Sequence, residues 1–496
     1  MTTSSPLHDL KTLVLSFHSI IAIETVEEDR AAKLIRAAAN ELGLTVFDWS
    51  VTQGLVRLPA TQAIHGTADP LGLVKHIEDL TVKALFHLKD FAQYLDNPAV
   101  ARKFREVAQG FARNLSTIVL TSPTLSLPSN IEHKVVHFDL QLPTRDEIRQ
   151  GIQPVIQSLM AQRNIEYQLS NDEFDELVNA LTGMTLNQAR QIIAYAALVD
   201  GKLGPDDVSK VIERKAQIIR DGGLLEYFPA AANRYELGGF NNLKQWLARA
   251  RLGFSPEARA LNLHPPRGIF IVGVQGCGKS LAAKAIAREW HLPLLKLDAG
   301  RLFDKYIGES EKNFRKAIAM AESMAPAVLW IDEIEKAMPV RSSGTQDGGV
   351  SQRLFGAFLT WLQEKQQPVF VVATANDLSN TPPELLRKGR FDEIFFVDLP
   401  SEAERRAIFT IHLELHKQSP DDFDLDRLTA AAEGFSGAEI EQAVIASLYR
   451  SLHRKRPLDT SVILQELSET VPLSISRRED VVRLREAARG RFVSVH

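Results

Sequence analysis

Short apolar segments alternate with helical patterns along the second half of the chain. Gly268–Val272 and Ala327–Ile331 are runs of apolar, partly β-branched residues, which is the pattern of strands buried on both faces of a parallel sheet. Leu281–Arg288 instead has its apolar residues at helical spacing. Strands that alternate with helices in this way predict an α/β domain with a parallel sheet flanked by helices.

The first half of the chain shows the same order of apolar segments. Its candidate strands are Ser19–Ile23, Leu44–Trp49, Ala84–Asp90, Ser116–Ser122 and Val135–Pro143. Such a repeat indicates two related modules, each followed by a helical lid, although unrelated α/β domains also share a strand–helix rhythm by chance. We predict the first module at 1–143, its lid-like segment at 144–215, a linker at 216–236, the second module at 237–400, and a second lid with the tail at 401–496.

Composition is typical of a soluble globular protein. The 496 residues are 45% hydrophobic and 24% charged, and the net charge of −4 does not require a polyanionic partner. Cys277 is the single cysteine, so an intramolecular disulfide is excluded and a reducing compartment is favoured. No secretory signal is visible, and no apolar run approaches the ~20 residues that span a bilayer. We therefore expect a cytoplasmic protein without a membrane span.

The loop after Gly268–Val272 carries the first candidate chemistry. It reads G-x-x-x-x-G-K-S from Gly273 to Ser280, and between a strand and a helix this motif predicts a phosphate-binding loop. Glycines allow backbone N–H groups to face the phosphates, Lys279 neutralises the β- and γ-phosphates, and Ser280 ligates Mg²⁺. The predicted nucleotide-binding residues of this segment are Gly273, Gly276, Cys277, Gly278, Lys279, Ser280 and Leu281.

Cys277 lies inside this loop and has two possible roles. A thiol near a helix N-terminus can have a lowered pKa and be redox-sensitive. A small, weakly polar side chain can also simply fill a narrow space, and this interpretation is favoured.

Two further strands end in polar residues. Ala327–Ile331 is followed by Asp332 and Glu333, and Pro368–Ala375 is followed by Asn376. Neighbouring residues of a strand point to opposite sides, so Asp332 can hold Mg²⁺ while Glu333 polarises the attacking water. Parallel strand ends meet at one edge of the sheet, so Asn376 is expected to contact the γ-phosphate or that water. The structural alternatives are a charged strand end and a turn-capping asparagine.

These residues resemble those of the AAA ATPase family, over the range 235–454. The resemblance implies that Gly238 and Gly239 contact adenine. It also implies that Arg387 and Arg390 are arginine fingers that reach the ATP site of a neighbouring subunit, where a guanidinium stabilises charge in the transition state. The alternative for both arginines is a solvated surface position.

The resemblance implies three further groups of residues. His412 corresponds to a family position near the ribose or adenine, and Gly437 and Ala438 correspond to sensor 2 in the branch without a sensor arginine. Residues 306–308 resemble the first pore loop, which grips a translocating polypeptide, although the aromatic side chain can also pack locally. This candidate pore loop consists of Tyr306, Ile307 and Gly308. One departure is Gln363–Gln367, where many members carry Asp-Gly-Phe.

The first module lacks the residues that carry this chemistry. Glu24–Arg30 stands at the phosphate-loop position and has no glycine and several acids, which would repel phosphate. Lys89 stands where a metal-binding carboxylate is expected. The sequence therefore predicts a degenerate AAA-like module that does not catalyse. Together with the tail, this layout resembles an uncharacterised AAA group encoded as a hypothetical reading frame in algal plastids and in cyanobacteria, which implies a bacterial cytoplasm or a plastid stroma.

Three functions are compatible with the sequence. The first is a Mg²⁺-dependent ATPase motor that acts as a hexameric ring on an unknown protein client. The second is an ATP-dependent assembly switch or scaffold, and the third is a nucleic-acid-associated ATPase, for which the basic segment Arg477–Arg489 is weak support. That segment can dock on a neighbouring lid or remain a solvated surface, so we do not expect a nucleic-acid partner. No H-E-x-x-H motif is present, which excludes a fused peptidase of that type.

Overall fold

Most of the chain is described by the computed structural model, namely residues 5–111, 116–163, 165–229, 239–297, 309–337, 348–379, 381–387 and 389–496. Two compact units are formed, Met1–Ile152 with Met184–Gln191 and Gln153–Gly183 with Ile192–His496. Gly238 and the candidate pore loop, residues 306–308, lie outside the described residues. Within the ranges given, no helix has the length and apolar character needed to cross a membrane.

The first unit contains a six-stranded sheet in the order β3-β2-β4-β5-β1-β6. Only β3 is antiparallel to its neighbour. Apolar residues fill both faces, since Ile20 packs in one core and the adjacent Ile21 in another. The strands are β1 Ile20–Glu24, β2 Thr45–Ser50, β3 Gly54–Arg57, β4 Ala84–Lys89, β5 Thr117–Ser122 and β6 Val135–His137, and the helices are Pro6–Leu15, Glu28–Leu42, Pro70–Asp79, Pro98–Phe111, Ser129–Glu132 and Arg145–Arg163.

The second unit contains a seven-stranded sheet in the order β15-β14-β10-β13-β12-β11-β9, in which only β9 is antiparallel to its neighbour. Its strands are β9 Leu225–Phe228, β10 Gly268–Gly273, β11 Leu294–Leu297, β12 Ala327–Ile331, β13 Val369–Ala375, β14 Glu393–Val397 and β15 Val493–Ser494. The helices around it are Asn241–Ala250, Pro256–Ala260, Lys279–Trp290, Glu309–Ser323, Ile334–Ala337 and Gly348–Glu364.

The two sheets share one strand order. Five of the six strands of the first sheet, in the order β6-β1-β5-β4-β2, correspond one by one to β14-β10-β13-β12-β11 of the second sheet. Asp90 and Glu333, which follow β4 and β12, also share an uncommon left-handed backbone, with φ of 53° and 49°. The predicted fold class, an AAA P-loop module preceded by a degenerate AAA-like α/β module, is therefore confirmed.

Small helical layers follow each sheet. The helical lid of the second module has its own core, which includes Phe409, Leu428 and Ile440. Its helices are Glu402–Leu415, Leu425–Ala431, Gly437–Arg454 and Thr460–Glu469, followed in the tail by Leu473–Ser476 and Arg478–Ala488. After the first sheet come the helices Asn171–Leu181, Leu186–Asp200 and Asp207–Asp221, with the paired strands β7 Glu166–Tyr167 and β8 Lys202–Leu203.

The predicted linker contains regular structure. Leu225–Phe228 forms β9, which pairs with β11 at the edge of the second sheet. Leu225 and Tyr227 are buried, whereas the residues between and after them are only partly buried. Alternate side chains of this four-residue strand therefore lie in the core of the second module, and the linker boundaries stay a prediction. The other domain boundaries stay predictions.

The tail packs on the second module of its own chain. Val481 and Leu484 are buried in the core that also contains the strand β10. Arg485 Nε lies 2.9 Å and 3.0 Å from the two carboxylate oxygens of Asp398, and β15 adds a strand beside β14. The basic tail is thus an amphipathic helix with a buried apolar face. Docking of the tail on a neighbouring lid, which the sequence left open, stays a prediction.

Candidate active site

Three neighbouring strands bring the predicted catalytic residues to one edge of the sheet. β13 lies between β10 and β12, and its register places Ala375 opposite Val272 and Ala373 opposite Ile331. The phosphate loop, Asn376 and the pair Asp332–Glu333 follow directly after these strands. Since the strands run parallel, their polar ends meet at the carboxyl edge, where open α/β sheets bind ligands.

The backbone of the phosphate loop requires glycine. Gly276 and Gly278 adopt φ of 77° and 89°, where a side chain would be strained. A Cβ added to Gly273 would lie 2.0 Å from the carbonyl oxygen of Val397 on the adjacent strand. The helix Lys279–Trp290 begins directly after Gly278, so its N-terminal N–H groups face the loop. Leu281 lies in the first turn of this helix and packs on the core below it.

Lys279 is buried at the floor of the loop. Its ammonium donates hydrogen bonds to the carbonyl oxygens of Gly273 at 2.8 Å and Val274 at 2.7 Å. Burial lowers the pKa of Lys279 to about 8, and nearby acids oppose this only in part. An ammonium held by neutral carbonyl groups would be stabilised further by a polyanion such as a triphosphate.

Cys277 is not positioned as a reactive thiol. Burial is the main cause that raises its pKa to about 12, and the charge of Lys279 offsets only a small part of this effect. The thiol faces the backbone at Gly437 and lies 3.8 Å from the carbonyl oxygen of Gln275. These surroundings favour the space-filling interpretation over a redox role.

A chain of hydrogen bonds links the residues that end β12 and β13. Asp332 Oδ1 accepts hydrogen bonds from Ser280 Oγ at 3.2 Å and from Thr374 Oγ1 at 2.6 Å. Glu333 Oε1 accepts a hydrogen bond from Asn376 Nδ2 at 2.8 Å. The structure therefore brings together the two residues predicted to bind Mg²⁺, and separately the two predicted to hold the water.

Several polar residues of this network were not singled out from the sequence. Thr374 donates to Asp332 and accepts from the backbone N–H of Glu333 at 3.1 Å. Glu335 is buried, which raises its pKa, and it accepts a hydrogen bond from the backbone N–H of Asn376 at 2.9 Å. Thr374 was detectable as the polar residue in the apolar strand β13, two positions before Asn376 and therefore on the same side.

The lid contacts the phosphate loop through the start of one helix. Ser436 and Glu439 form the predicted capping box of Gly437–Arg454, and the backbone N–H of Ala438 donates to the carbonyl oxygen of Gly276 at 2.9 Å. The N-terminus of this helix, with Gly437 and Ala438, thus borders the loop.

Of two other predicted nucleotide-binding residues, Gly239 borders the lid and His412 belongs to it. Gly239, with φ of 80°, lies against Glu404 so closely that an added Cβ would be 2.2 Å from Oε1. His412 lies in the last turn of Glu402–Leu415, and burial lowers its pKa. Its Nδ1 is buried without a hydrogen-bond partner among the described residues.

The two candidate arginine fingers show few contacts with the described residues of their own chain. Arg387 is exposed, and its side chain has no hydrogen-bond or ion-pair partner in the described ranges. Arg390 is half-buried, and its Nη1 has no partner among the same residues. The described contacts therefore do not join either guanidinium to the phosphate loop of the same chain.

The residues of this site fit MgATP. The loop provides a cradle that a Cβ would fill, a buried ammonium and a helix N-terminus, which suit a triphosphate. Ser280 and Asp332 provide the oxygen ligands that Mg²⁺ prefers. The described residues include no group of three or more His, Cys, Asp or Glu side chains suited to a metal ion. A protein-only metal centre is not required here, because phosphate oxygens and water supply the remaining ligands of Mg²⁺ in such sites.

The corresponding loop of the first module is filled by side chains. Glu27 accepts a hydrogen bond from the backbone N–H of Leu186 at 2.7 Å. Arg30 donates to both carboxylate oxygens of Glu147 at 3.1 Å. Lys89, at the end of β4, pairs with carboxylates of the same module. These contacts support the prediction that the first module does not catalyse, which stays a prediction.

Comparison with known proteins yields matches over nearly the whole chain. The ATPase family associated with various cellular activities (AAA) matches residues 269–399, and the N-terminal and second domains of SpoVK-like AAA ATPases match residues 7–140 and 146–222. The uncharacterized AAA domain-containing protein ycf46 of Guillardia theta is 37% identical, over 97% of this chain and 94% of that protein. Its counterpart in Trieres chinensis is 36% identical, over 98% and 97%. The proteasome-activating nucleotidase of Aeropyrum pernix is 34% identical over 44% of this chain and 54% of its own length.

Proposed function

Because this chain belongs to the AAA ATPase family, we propose that it hydrolyses ATP with Mg²⁺ at the carboxyl edge of the second sheet. Lys279 and the loop backbone bind the β- and γ-phosphates, and Ser280 with Asp332 holds Mg²⁺, which neutralises phosphate charge when bound. Glu333 orients and polarises the attacking water. The observation that carries this proposal is the hydrogen-bonded network from Ser280 through Asp332 and Thr374 to the end of β13.

The roles within this network differ by geometry. Asp332 is tied to the loop hydroxyl of Ser280, so it belongs to the metal side of the site. Glu333 is turned away by its left-handed backbone and is held by Asn376 instead, so its carboxylate belongs to the water side. Its Oε1 accepts the hydrogen bond from Asn376, and its Oε2 pairs with Lys336 Nζ at 2.6 Å, so both oxygens of this candidate general base are held in place.

Glu333→Gln tests this assignment. The amide keeps the size of the side chain and its contact with Asn376 but cannot accept a proton, so hydrolysis is expected to fall about 10²–10⁴-fold. Binding of a fluorescent ATP analogue is expected to be retained, because Glu333 does not line the phosphate loop. Glu289→Gln, at an exposed position of the helix Lys279–Trp290, is a control of equal charge change. Normal turnover by Glu333→Gln would refute the assignment.

We also propose that the sites are completed between subunits of a ring, as in a hexamer. Arg387 is exposed and unpartnered in the described chain, which suits a group that acts on a neighbour. A mixture of Arg387→Ala and Lys279→Ala subunits tests this idea, since each variant alone lacks one half of every site. In a mixed cyclic ring about one interface in four combines an intact Lys279 with an intact Arg387, so activity is expected to reappear on mixing. Failure to regain activity, with mixed rings demonstrated, would contradict trans action.

The ring is proposed to remodel a protein client through residues 306–308. Support comes from the resemblance of this segment to a pore loop and from the similarity to a proteasome-activating nucleotidase. Tyr306→Ala separates the motor from the switch or scaffold, since a motor loses client remodelling while keeping ATP turnover. Location in a bacterial cytoplasm or a plastid stroma remains part of this proposal.

A further inference from the structure

Both modules carry a lysine–carboxylate pair at the same place in the sheet. In the second module Lys296 Nζ lies 3.8 Å from Asp332 Oδ2. In the first module Lys89 Nζ lies 3.1 Å from Asp48 Oδ2. In the second module the pair joins β11 to the end of its parallel neighbour β12, and in the first module it joins β2 to the end of its parallel neighbour β4.

The strand registers show that the two pairs are equivalent. Lys296 is opposite Trp330 in the pairing of β11 with β12, and Asp48 is opposite His87 in the pairing of β2 with β4. Asp332 comes two residues after Trp330, and Lys89 comes two residues after His87, so each lies on the same side of its strand as that residue. The equivalent positions therefore carry the same ion pair with its charges exchanged: the acid ends β12 in the second module, whereas the lysine ends β4 in the first.

The surroundings of Lys296 hold its ammonium beside the carboxylate. Its Nζ lies 4.5 Å from the ring centroid of Trp330, which is almost fully buried, and the two side chains form a cation–π interaction. Asp332 Oδ1 already accepts the hydroxyl groups of Ser280 and Thr374, whereas Oδ2 faces Lys296. One oxygen of Asp332 thus belongs to the hydroxyl network and the other to the lysine.

We propose that Lys296 is the resident counter-ion of the magnesium-binding carboxylate and sets how much Mg²⁺ the site requires. This inference rests on the proposed role of Asp332 in holding Mg²⁺. A dication bound at Asp332 shares that carboxylate with the ammonium of Lys296, so the two cations repel each other. Lys296 is a positioning residue, since it acts on the metal through Asp332.

The exchange of charges also accounts for the first module. With Asp48 on β2 and Lys89 at the end of β4, the charges of these two residues compensate each other. The same exchange puts a cation where Mg²⁺ would have its carboxylate, and a lysine cannot ligate Mg²⁺. The swapped pair therefore removes the metal-binding carboxylate and leaves an ion pair between the two strands in place.

Lys296→Met tests the proposal, because methionine keeps an unbranched apolar chain against Trp330 and removes the charge. The readout is the Mg²⁺ concentration that gives half-maximal binding of a fluorescent, non-hydrolysable ATP analogue. That concentration is expected to fall about threefold to tenfold, as a partly screened ammonium no longer opposes the dication. Lys296→Arg should stay near the wild-type value, and Lys316→Met, an exposed lysine on Glu309–Ser323, controls for net charge.

Each outcome decides the proposal. An unchanged Mg²⁺ requirement in Lys296→Met, with a thermal unfolding midpoint like that of the wild type, would overturn it. A higher requirement would also overturn it, since it would make Lys296 a ligand of the phosphates. If Lys296→Met unfolds at a lower temperature than the wild type, the same measurement is made on Lys296→Gln, which also removes the charge but retains a polar end. Failure of the wild-type chain to bind the analogue at any Mg²⁺ concentration would instead refute the proposed ATP site.

Discussion

The single thiol of the phosphate loop is expected to be nearly inert in the folded protein. Cys277 is buried against the lid at Gly437, and this burial raises the pKa of the thiol from 9.0 to about 12. Alkylation requires the thiolate, so the rate at a given pH follows the thiolate fraction. The perturbation is treatment of the native protein with iodoacetamide at pH 8.

The expected protection follows from the two pKa values. At pH 8 about one thiol in ten is ionised when the pKa is 9, and about one in ten thousand when it is about 12. Labelling of the native Cys277 is therefore expected to be about 1,000-fold slower than labelling of the unfolded chain. The native rate should also rise about tenfold per pH unit up to pH 11, as long as the fold persists.

Intact-mass spectrometry measures this directly, because one cysteine gives at most one label. The same chain in guanidinium chloride is the reference for an accessible thiol. ATP turnover measured after the native treatment is expected to be unchanged. Native labelling within tenfold of the reference rate would refute the reasoning, and loss of turnover in step with labelling would restore the redox role of Cys277.

Three further predictions concern stability. Gly273→Ala is expected to destabilise the protein by about 1–3 kcal/mol in urea unfolding, because the new Cβ meets the Val397 carbonyl; equal stability would mean that the strands can shift. Asp48→Asn is expected to cost about 1–3 kcal/mol at pH 7. Burial raises the pKa of Asp48, but His87 and Lys89 outweigh it and lower the pKa overall, so the cost should vanish as pH falls below about 4; a pH-independent cost would contradict this. His496→Ala removes the hydrogen bond with Glu404 and should speed amide hydrogen exchange in β15, whereas unchanged exchange would show that the pairing of β15 does not depend on this contact.

The sequence was informative wherever the chemistry lies in consecutive residues. The loop from Gly273 to Ser280 is recognisable because glycine, lysine and serine must follow one another to wrap a phosphate. Asp332 and Glu333 were identified because they come immediately after the apolar strand β12, and Asn376 because it follows the largely apolar strand β13. Their meeting at one sheet edge was predictable too, since parallel strands present the same end on the same side. The candidate pore loop and Gly238 remain sequence-based predictions.

The sequence alone did not reveal contacts that depend on strand order and register. Thr374 became part of the site only because β13 lies between β10 and β12, and Lys296 only because β11 places it beside Asp332. β9 has four residues and β15 has two, which is too short to show a recognisable hydrophobic period. The position of these strands in the sheet therefore depends on the core against which their side chains pack.

The sequence by itself determined the chemistry of the loop, the polar strand ends and the doubled module, because these reside in local patterns and their repetition. The tertiary structure alone decided which distant charges face each other. Register brings Lys296 to Asp332 in one sheet and Lys89 to Asp48 in the other. Since a shift of one residue would turn each of these side chains to the opposite face, such pairs exist only once the strands are assembled.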